Sequence, residues 1–178
     1  MATGEGFPVP VSTLVNSEMA AAVGRTVRRR KSFPVSESDI RRWAIAVYWP
    51  DPSPRLFWDA AYAATTSHGG IVAPEEFNPF AWMVAESDAK GVADDAERIE
   101  RTLGIRGPGL RFELNGGLEA HYAVRIRPGD VITAVSTLAS YTEKTGRLGP
   151  MLFTSTEETW TNDSGGLVKR FRSTQIRY

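Results

Sequence analysis

The chain has 178 residues, of which 42% are apolar and 24% are charged, and its 21 basic residues balance its 21 acidic ones. These values are typical of one globular domain, and the zero net charge gives no indication of a nucleic-acid or membrane partner. The absence of cysteine and the presence of only two histidines exclude a disulfide framework, a thiolate nucleophile and a multi-histidine zinc site. We therefore expect no metal. The sequence has neither a signal-like start nor a stretch of ~18 apolar residues, so we expect a cytoplasmic protein.

The N-terminal part predicts an arm followed by a strand. Residues 1–22 are predicted to be an arm ahead of one domain over 23–178, loose over its glycine- and proline-rich start at 1–10. The alternative for the rest of the arm is a short helix that begins at Leu14, Val15 and Met19 and packs on the body. The segment 23–35 mixes β-branched and basic residues, as an exposed strand does when its charges prevent unwanted pairing. The alternative for its basic run, Arg28–Lys31, is contact with a phosphorylated ligand.

Two helices are predicted next, separated by a proline-rich loop. Ser36 and Asp39 resemble a capping box, and the apolar residues that follow recur at helical spacing, which predicts a helix over 37–47. The loop WPDPSPRL ends this helix because its prolines remove backbone donors. A second short helix is predicted over 56–65.

The middle of the chain predicts a buried helix and then an insertion. Phe77, Phe80 and several later apolar residues would share one helical face. Pro79 suits only the first turn of a helix, so a central helix is predicted to begin near Asn78. The charged and glycine-rich segment of about 88–117 is interpreted as an inserted polar helix or loop that shapes a binding site.

The last third predicts antiparallel strands. Four segments rich in valine, threonine, isoleucine and aromatic residues alternate with period two, and the short turns RPGD, TGRLGP and NDSGG separate them. Short turns between successive strands favour a meander. The combined pattern predicts an α+β fold in which an antiparallel sheet wraps around a central helix.

Four stretches, in this order and spacing, carry a resemblance to a known family: VSESDIRRWAIAV, GGIVAP, LNGGLEAHYAVRIRPGD and TNDSGGLVKRF. Over about 23–177 the chain resembles the MaoC-like N-terminal dehydratase domains, relatives of the R-specific 2-enoyl-CoA hydratases. The resemblance implies a single hot-dog fold. It also implies a coenzyme A thioester as substrate and no cofactor.

Catalytic members of that family carry a Gly-Asp-x-Asn-Pro-x-His signature after the first long helix. Its Asp and His act on the water that adds across the enoyl double bond. Aligned with this signature, PDPSPRL has Asp51 at the aspartate and Leu56 at the histidine. Leucine cannot transfer a proton, so the resemblance implies that no catalytic residue is present in this loop. Asp51 is then explained as a turn carboxylate between prolines.

The resemblance implies a non-catalytic subunit of a heteromeric 2-enoyl-CoA hydratase, which holds the acyl tail. A catalytic MaoC-like hot dog would be its partner, in a heterodimer or a dimer of heterodimers that forms through sheet edges. The long insertion is most similar to steroid side-chain hydratases, and fatty-acid dehydratases are the related case. Steroid-type subunits carry a second domain after the hot dog, so the sequence can be part of a longer protein.

Two other functions remain open. One is a self-sufficient homodimeric hydratase in which Asp51 and His68 supply the acid and base. The other is a non-enzymatic hot dog that binds an acyl thioester or acts as a scaffold. His121, on one face of a strand, and Asp130, in the RPGD turn, are interpreted as structural residues.

Substrate contacts are predicted at two glycine-containing triplets, where missing side chains allow close approach. The first is Gly69, Gly70 and Ile71, at the start of the predicted central helix. Helix N-terminal amides there would stabilise charge on the thioester oxygen. The second is Asn115, Gly116 and Gly117. The alternative is that these glycines only form tight turns.

Overall fold

A computed structural model describes residues 13–83, 95–147 and 149–178. The helices are α1 (Ser17–Ala22), α2 (Glu37–Tyr48), a 3₁₀ helix (Arg55–Phe57), α3 (Ala60–Ala64) and α4 (Arg98–Leu103). The strands are β1 (Thr26–Lys31), β2 (Glu113–Tyr122), β3 (Thr133–Gly146), β4 (Gly149–Thr161) and β5 (Leu167–Arg177). Within the described residues, no helix is long and apolar enough to cross a membrane.

The five strands form one antiparallel sheet in the order β1-β3-β4-β5-β2. The predicted meander is confirmed for β3, β4 and β5, but it is wrong for β2, which pairs with β5 instead of β3. The spacing between strands explains how β2 can pair with β5 and not with β3. Residues 123–132 connect β2 to β3 and need to cross only about 14 Å of sheet, a distance that ten residues readily span.

The local signals for α2 and its neighbours are confirmed. The Ser36 hydroxyl accepts a hydrogen bond from the Asp39 N–H at 3.1 Å, which caps α2. The second predicted helix forms as two short pieces, the 3₁₀ helix and α3. Asp59 caps α3 by accepting from the Tyr62 N–H at 3.0 Å, and this bond together with Arg55 lowers the pKa of Asp59.

The helix predicted to begin near Asn78 is wrong as far as Met83, because residues 75–83 form turns. The rest of that predicted helix lies outside the described residues. The Asn78 side-chain oxygen accepts from the Phe80 N–H at 3.0 Å, and such local bonds compete with helical ones. Phe77 and Phe80 are nevertheless buried, so the apolar pattern identified core residues in a segment of the wrong conformation.

The inner face of the sheet carries two separate apolar clusters. The larger cluster lies at one end, where α2 and residues 71–80 pack on Ala134 and Trp160. The smaller cluster is formed by Ala22, Ile99, Leu103 and Leu138, from α1, α4 and β3. The predicted polar insertion therefore contains a buried helix, α4, which packs on the sheet.

Candidate functional site

The loop after α2 lacks an acid–base pair. Asp51 is exposed, and its N–H donates to the Tyr48 carbonyl oxygen at 2.8 Å. Leu56 lies in the 3₁₀ helix and packs against the larger apolar cluster. The position that would have to carry an imidazole is thus occupied by a packing residue.

His68 belongs to a different structural unit from Asp51. Its carbonyl oxygen accepts a hydrogen bond from Arg127 Nη2 at 2.6 Å, which ties the turn at 65–70 to the turn before β3. In the parts of the chain that the structure describes, no hydrogen bond or ion pair joins His68 to Asp51. The arrangement gives no support to these two residues as an acid–base pair.

The first predicted contact triplet precedes an irregular segment instead of a helix. Gly69 has a φ of +64°, which favours glycine, and Ile71 is buried in the larger cluster. The chain then continues without regular secondary structure to Ala73, whose N–H donates to the Ile126 carbonyl oxygen at 2.8 Å. The N–H groups of Gly70 and Ile71 have no acceptor among the described residues, so they are free to donate to a ligand.

The second triplet lies on the edge of the sheet. Asn115 Oδ1 accepts from the Gly117 N–H at 2.9 Å, across an irregularity in the pairing of β2 with β5. A Cβ on Gly116 would come within 2.9 Å of Ile176 Cγ1, so close packing against β5 requires this glycine. Seven residues of strand, about 23 Å, separate Asn115 from Tyr122, which lies beside Pro74 in the segment after the first triplet. The chain does not bring the two triplets together.

A cavity of about 320 Å³ lies between the two apolar clusters, over the middle of the inner sheet face. Its walls come from the sheet and from α4. The lining residues are Val27, Arg28, Arg98, Ile99, Thr102, Ser136, Thr156, Glu158, Ser173 and Gln175. Sequence reasoning missed this site. The signal was present as serine and threonine at inward positions of the alternating strands, where apolar residues are the norm.

A buried charged network fastens α4, and with it one wall of the cavity, to the sheet. Arg177 donates to both carboxylate oxygens of Glu100, at 2.8 and 2.9 Å, and also to Thr154 Oγ1 at 2.7 Å. The Tyr141 hydroxyl donates to Glu100 Oε1 at 2.6 Å. Both ion-pair side chains are 1% exposed.

Electrostatics within this network are set by its hydrogen bonds. Burial pushes the pKa of Glu100 upward, but the bonds from Arg177 and Tyr141 outweigh it, and the pKa lies below its ordinary value. Burial, and then the Glu100 carboxylate, raise the pKa of Tyr141. Glu100 is therefore held ionised and Tyr141 neutral, so the network serves as a fastening and offers no proton donor or acceptor for catalysis.

Among the described residues, neither Lys169 nor His121 makes a hydrogen bond or an ion pair with an acidic side chain. The Lys169 ammonium lies 5.0 Å from the ring centroids of Tyr122 and Trp160 and 5.1 Å from that of Phe171. Burial lowers the Lys169 pKa, while the rings stabilise its charge. His121 is exposed opposite Arg170.

The turn before β3 has the structural role expected of it. Asp130 Oδ2 accepts from the Arg127 N–H at 2.8 Å, as a turn former does. The interpretation of Asp130 as a turn residue is therefore confirmed.

A family model described as FAS1-like, dehydratase domain region, matches residues 21–171 of the chain. No curated protein matches the sequence. Among solved structures, the ChsH1-ChsH2 complex from Mycobacterium tuberculosis is similar with a TM-score of 0.68 at 20% identity, covering 91% of this chain and 88% of that chain.

Two further structures are similar at lower scores. The C-terminally truncated HadBC (3R-hydroxyacyl-ACP dehydratase) complex from Mycobacterium tuberculosis has a TM-score of 0.55 at 20% identity, with 86% of this chain and 96% of that chain covered. The R-hydratase PhaJ1 from Pseudomonas aeruginosa has a TM-score of 0.54 at 17% identity, with 87% and 81% covered. These likenesses confirm the predicted hot-dog fold of the α+β class.

Proposed function

Because the chain belongs to the FAS1-like family, in its dehydratase domain region, we propose that it is the non-catalytic, acyl-holding subunit of a heteromeric 2-enoyl-CoA hydratase. One observation carries the proposal. Leu56, the residue aligned with the catalytic histidine, packs against the apolar core, and Asp51 is exposed with no imidazole partner among the described residues.

The reaction explains why a second subunit is needed. Hydration of a trans-2-enoyl thioester adds the hydroxyl of water to C3 and a proton to C2, while negative charge develops on the thioester oxygen. A base must take a proton from the water, and an acid must supply one to carbon. The partner hot dog would provide both groups from its Asp and His. No cofactor is required for this chemistry, since coenzyme A belongs to the substrate.

The exposed strand β2 is the proposed surface for that partner. Nine of its ten residues are exposed, including Leu114 and Leu118, which are 52% and 61% exposed. An unpaired sheet edge of this length is a template for another strand. Both the ChsH1-ChsH2 and the HadBC structures are complexes, which supports a second hot dog as the partner.

The cavity is the proposed place for the acyl tail. Its volume of about 320 Å³ is at the lower end of typical ligand pockets. A bulky tail such as a steroid side-chain acyl group is the proposed occupant. The Gly70 and Ile71 N–H groups, which follow the turn at Gly69, would donate hydrogen bonds to the substrate. The second triplet, Asn115, Gly116 and Gly117, would contact the substrate from the sheet edge that faces the partner.

Co-expression tests the proposal. The chain is produced with a catalytic MaoC-like hot-dog subunit, the mass of the recovered assembly is measured, and hydration of crotonyl-CoA and of a bulkier enoyl-CoA is followed. We expect one assembly containing both chains, and a hydration rate for the bulky substrate that neither chain reaches alone.

Two results would favour the other functions. A partner whose rates are unchanged by this chain would indicate a scaffold. Hydration by the purified chain that is lost in His68→Ala would indicate a self-sufficient hydratase. His121→Ala, on the exposed face of β2, is the matched control for the second result, because it also removes a histidine.

A further inference from the structure

Three hydroxyl groups form a strip on the sheet floor of the cavity. Ser136, Thr156 and Ser173 lie on β3, β4 and β5, and all three line the cavity. Thr156 and Ser173 are direct cross-strand partners, and Ser136 is the partner of Glu158, the next inward residue of β4. The hydroxyl strip, as we name these three side chains, therefore crosses the three central strands diagonally, because Ser136 is offset by one inward residue from Thr156 and Ser173.

None of the three hydroxyls has a hydrogen-bond partner within the described parts of the chain. The opposite face of the same strands differs, because the hydroxyls of Ser155 and Thr174 bond each other at 2.9 Å. Hydroxyl groups at a protein surface that face water need no protein partner, whereas those covered by a ligand do. A ligand that fills the cavity must therefore offer polar atoms to the strip.

Glu158 sets which polar atoms the ligand should carry. Its Oε1 accepts from Arg30 Nη2 at 2.7 Å and from Trp160 Nε1 at 2.6 Å. Among the described residues Oε2 has no donor. A carboxylate oxygen only accepts hydrogen bonds, whereas serine and threonine hydroxyls donate and accept. The cavity thus pairs adaptable hydroxyls with one oxygen that requires a donor.

We propose that the cavity takes an acyl group that carries one or more hydroxyls, in preference to an unsubstituted hydrocarbon tail. The inference rests on the proposed acyl-holding function. A hydrocarbon would cover the strip and Glu158 without hydrogen bonds. A carbonyl or a carboxylate would accept from the strip but would donate nothing to Glu158 Oε2. A hydroxyl satisfies both Glu158 and the hydroxyl strip, because it donates to Oε2 and accepts from serine or threonine.

Equilibrium binding of saturated thioesters tests the preference, since they lack the double bond and cannot be hydrated. Calorimetric titrations use dodecanoyl-CoA and dodecanoyl-CoA derivatives with one hydroxyl at successive carbons of the distal half. They are carried out on the chain alone and on the assembly recovered by co-expression. We expect at least one hydroxylated thioester to bind about tenfold more tightly than dodecanoyl-CoA.

Two variants locate the effect. The variant Ser136→Ala/Thr156→Val/Ser173→Ala keeps side-chain shape and removes the strip, and it should abolish the preference. Ser155→Ala/Thr174→Val, which removes two hydroxyls from the outer face of β4 and β5, is the matched control and should keep it. Loss of the preference in the control would overturn the assignment to the cavity.

The outcomes separate this inference from the function on which it rests. Binding of all thioesters with equal affinity, or tighter binding of dodecanoyl-CoA, overturns the hydroxyl preference and leaves the acyl-holding function standing. If no thioester binds either preparation, the acyl-holding function fails and the inference fails with it. Should the strip variant not fold, the wild-type comparison still decides, because equal affinities contradict the inference.

Discussion

The two edges of the sheet differ in length, charge and cover. β1 has six residues, four of them basic, and it contacts α4. Its Arg30 is fastened to Glu158 on the inner face at 2.7 Å. β2 has ten residues, no lysine or arginine, and exposed leucines on both faces.

Edges with short strands and positive charges are protected against pairing, whereas a long edge that has apolar residues and no basic ones is less protected. This contrast is the reason why β2, and not β1, is the edge proposed to pair with another chain. The function proposed for the chain depends on that asymmetry, because a subunit without its own acid–base pair must meet one.

The largest expected effect is on the free energy of unfolding, and it differs between ion pairs on the two sides of the sheet. Arg177 is the cross-strand partner of Glu113 on β2, and Arg177→Met would leave the Glu100 carboxylate buried without its counter-charge. We expect a loss of about 3–5 kcal/mol in the free energy of unfolding. Arg30→Met, on the β1 side, breaks a pair that is more exposed and should cost about 1–2 kcal/mol. Urea unfolding measures both, and equal losses would contradict the comparison.

The second prediction concerns variants that change the charge of the two edge strands. Leu114→Lys/Leu118→Lys places two charges on β2, and we expect the dissociation constant of the assembly to rise about 100-fold, or ~2.7 kcal/mol. Arg29→Glu/Lys31→Glu, on the other edge, is the control and should leave it unchanged. Analytical ultracentrifugation measures the assembly. If the β1 variant dissociates the assembly and the β2 variant does not, the partner uses the other edge.

The third prediction concerns the stability that the Glu100–Arg177 network contributes, and how it depends on pH. This network includes β5, the strand that pairs with β2. The pKa of Glu100 is lower in the folded protein than its ordinary value near 4.5, so its contribution is complete above that value. The contribution is lost as the pH falls through the lower, folded pKa. Glu100→Gln should therefore cost about 2 kcal/mol at neutral pH and progressively less in acid. Thermal melting of both proteins across acidic pH measures this, and a constant difference would contradict the assignment.

The smallest effect tests the close packing of β2 on β5. A Cβ at Gly116 would lie 3.0 Å from the Thr174 carbonyl oxygen, a backbone atom that cannot move aside easily. Gly116→Ala should cost about 1–2 kcal/mol in unfolding free energy and weaken the assembly. Gly70→Ala meets its nearest atom at 3.8 Å and should be nearly neutral. A neutral Gly116→Ala would show that this glycine has no packing role at the edge.

The strands and α2 were predictable because each has a strong local signal. Alternation in β3, β4 and β5 follows from an inner face that is covered and an outer face that is not, and Ser36 caps α2 as its sequence predicts. The position of β2 at the far edge was not predictable from its turn, since strand order depends on which edges are free. The helix predicted near Asn78 was wrong because helical spacing of buried phenylalanines identifies burial and not backbone conformation.

For the candidate site, only the absence of the catalytic imidazole was predictable from the sequence. Leu56 in place of the imidazole is visible in the sequence, and the structure adds that its half-buried side chain packs against the core. The cavity required the register of three strands, because Ser136, Thr156 and Ser173 are neighbours only across the sheet. The contact triplets at Gly69–Ile71 and Asn115–Gly117 and the division into an arm and one domain stay predictions.

The hydration rate of the purified chain, free of any second subunit, tests the central claim most directly. The assay follows the loss of the conjugated enoyl thioester of crotonyl-CoA and of a bulkier enoyl-CoA. Without an imidazole beside Asp51, we expect no rate above the buffer control, and a rate that appears only when a catalytic hot dog is added. Turnover by the chain alone at the speed of ordinary enzymes would contradict the account.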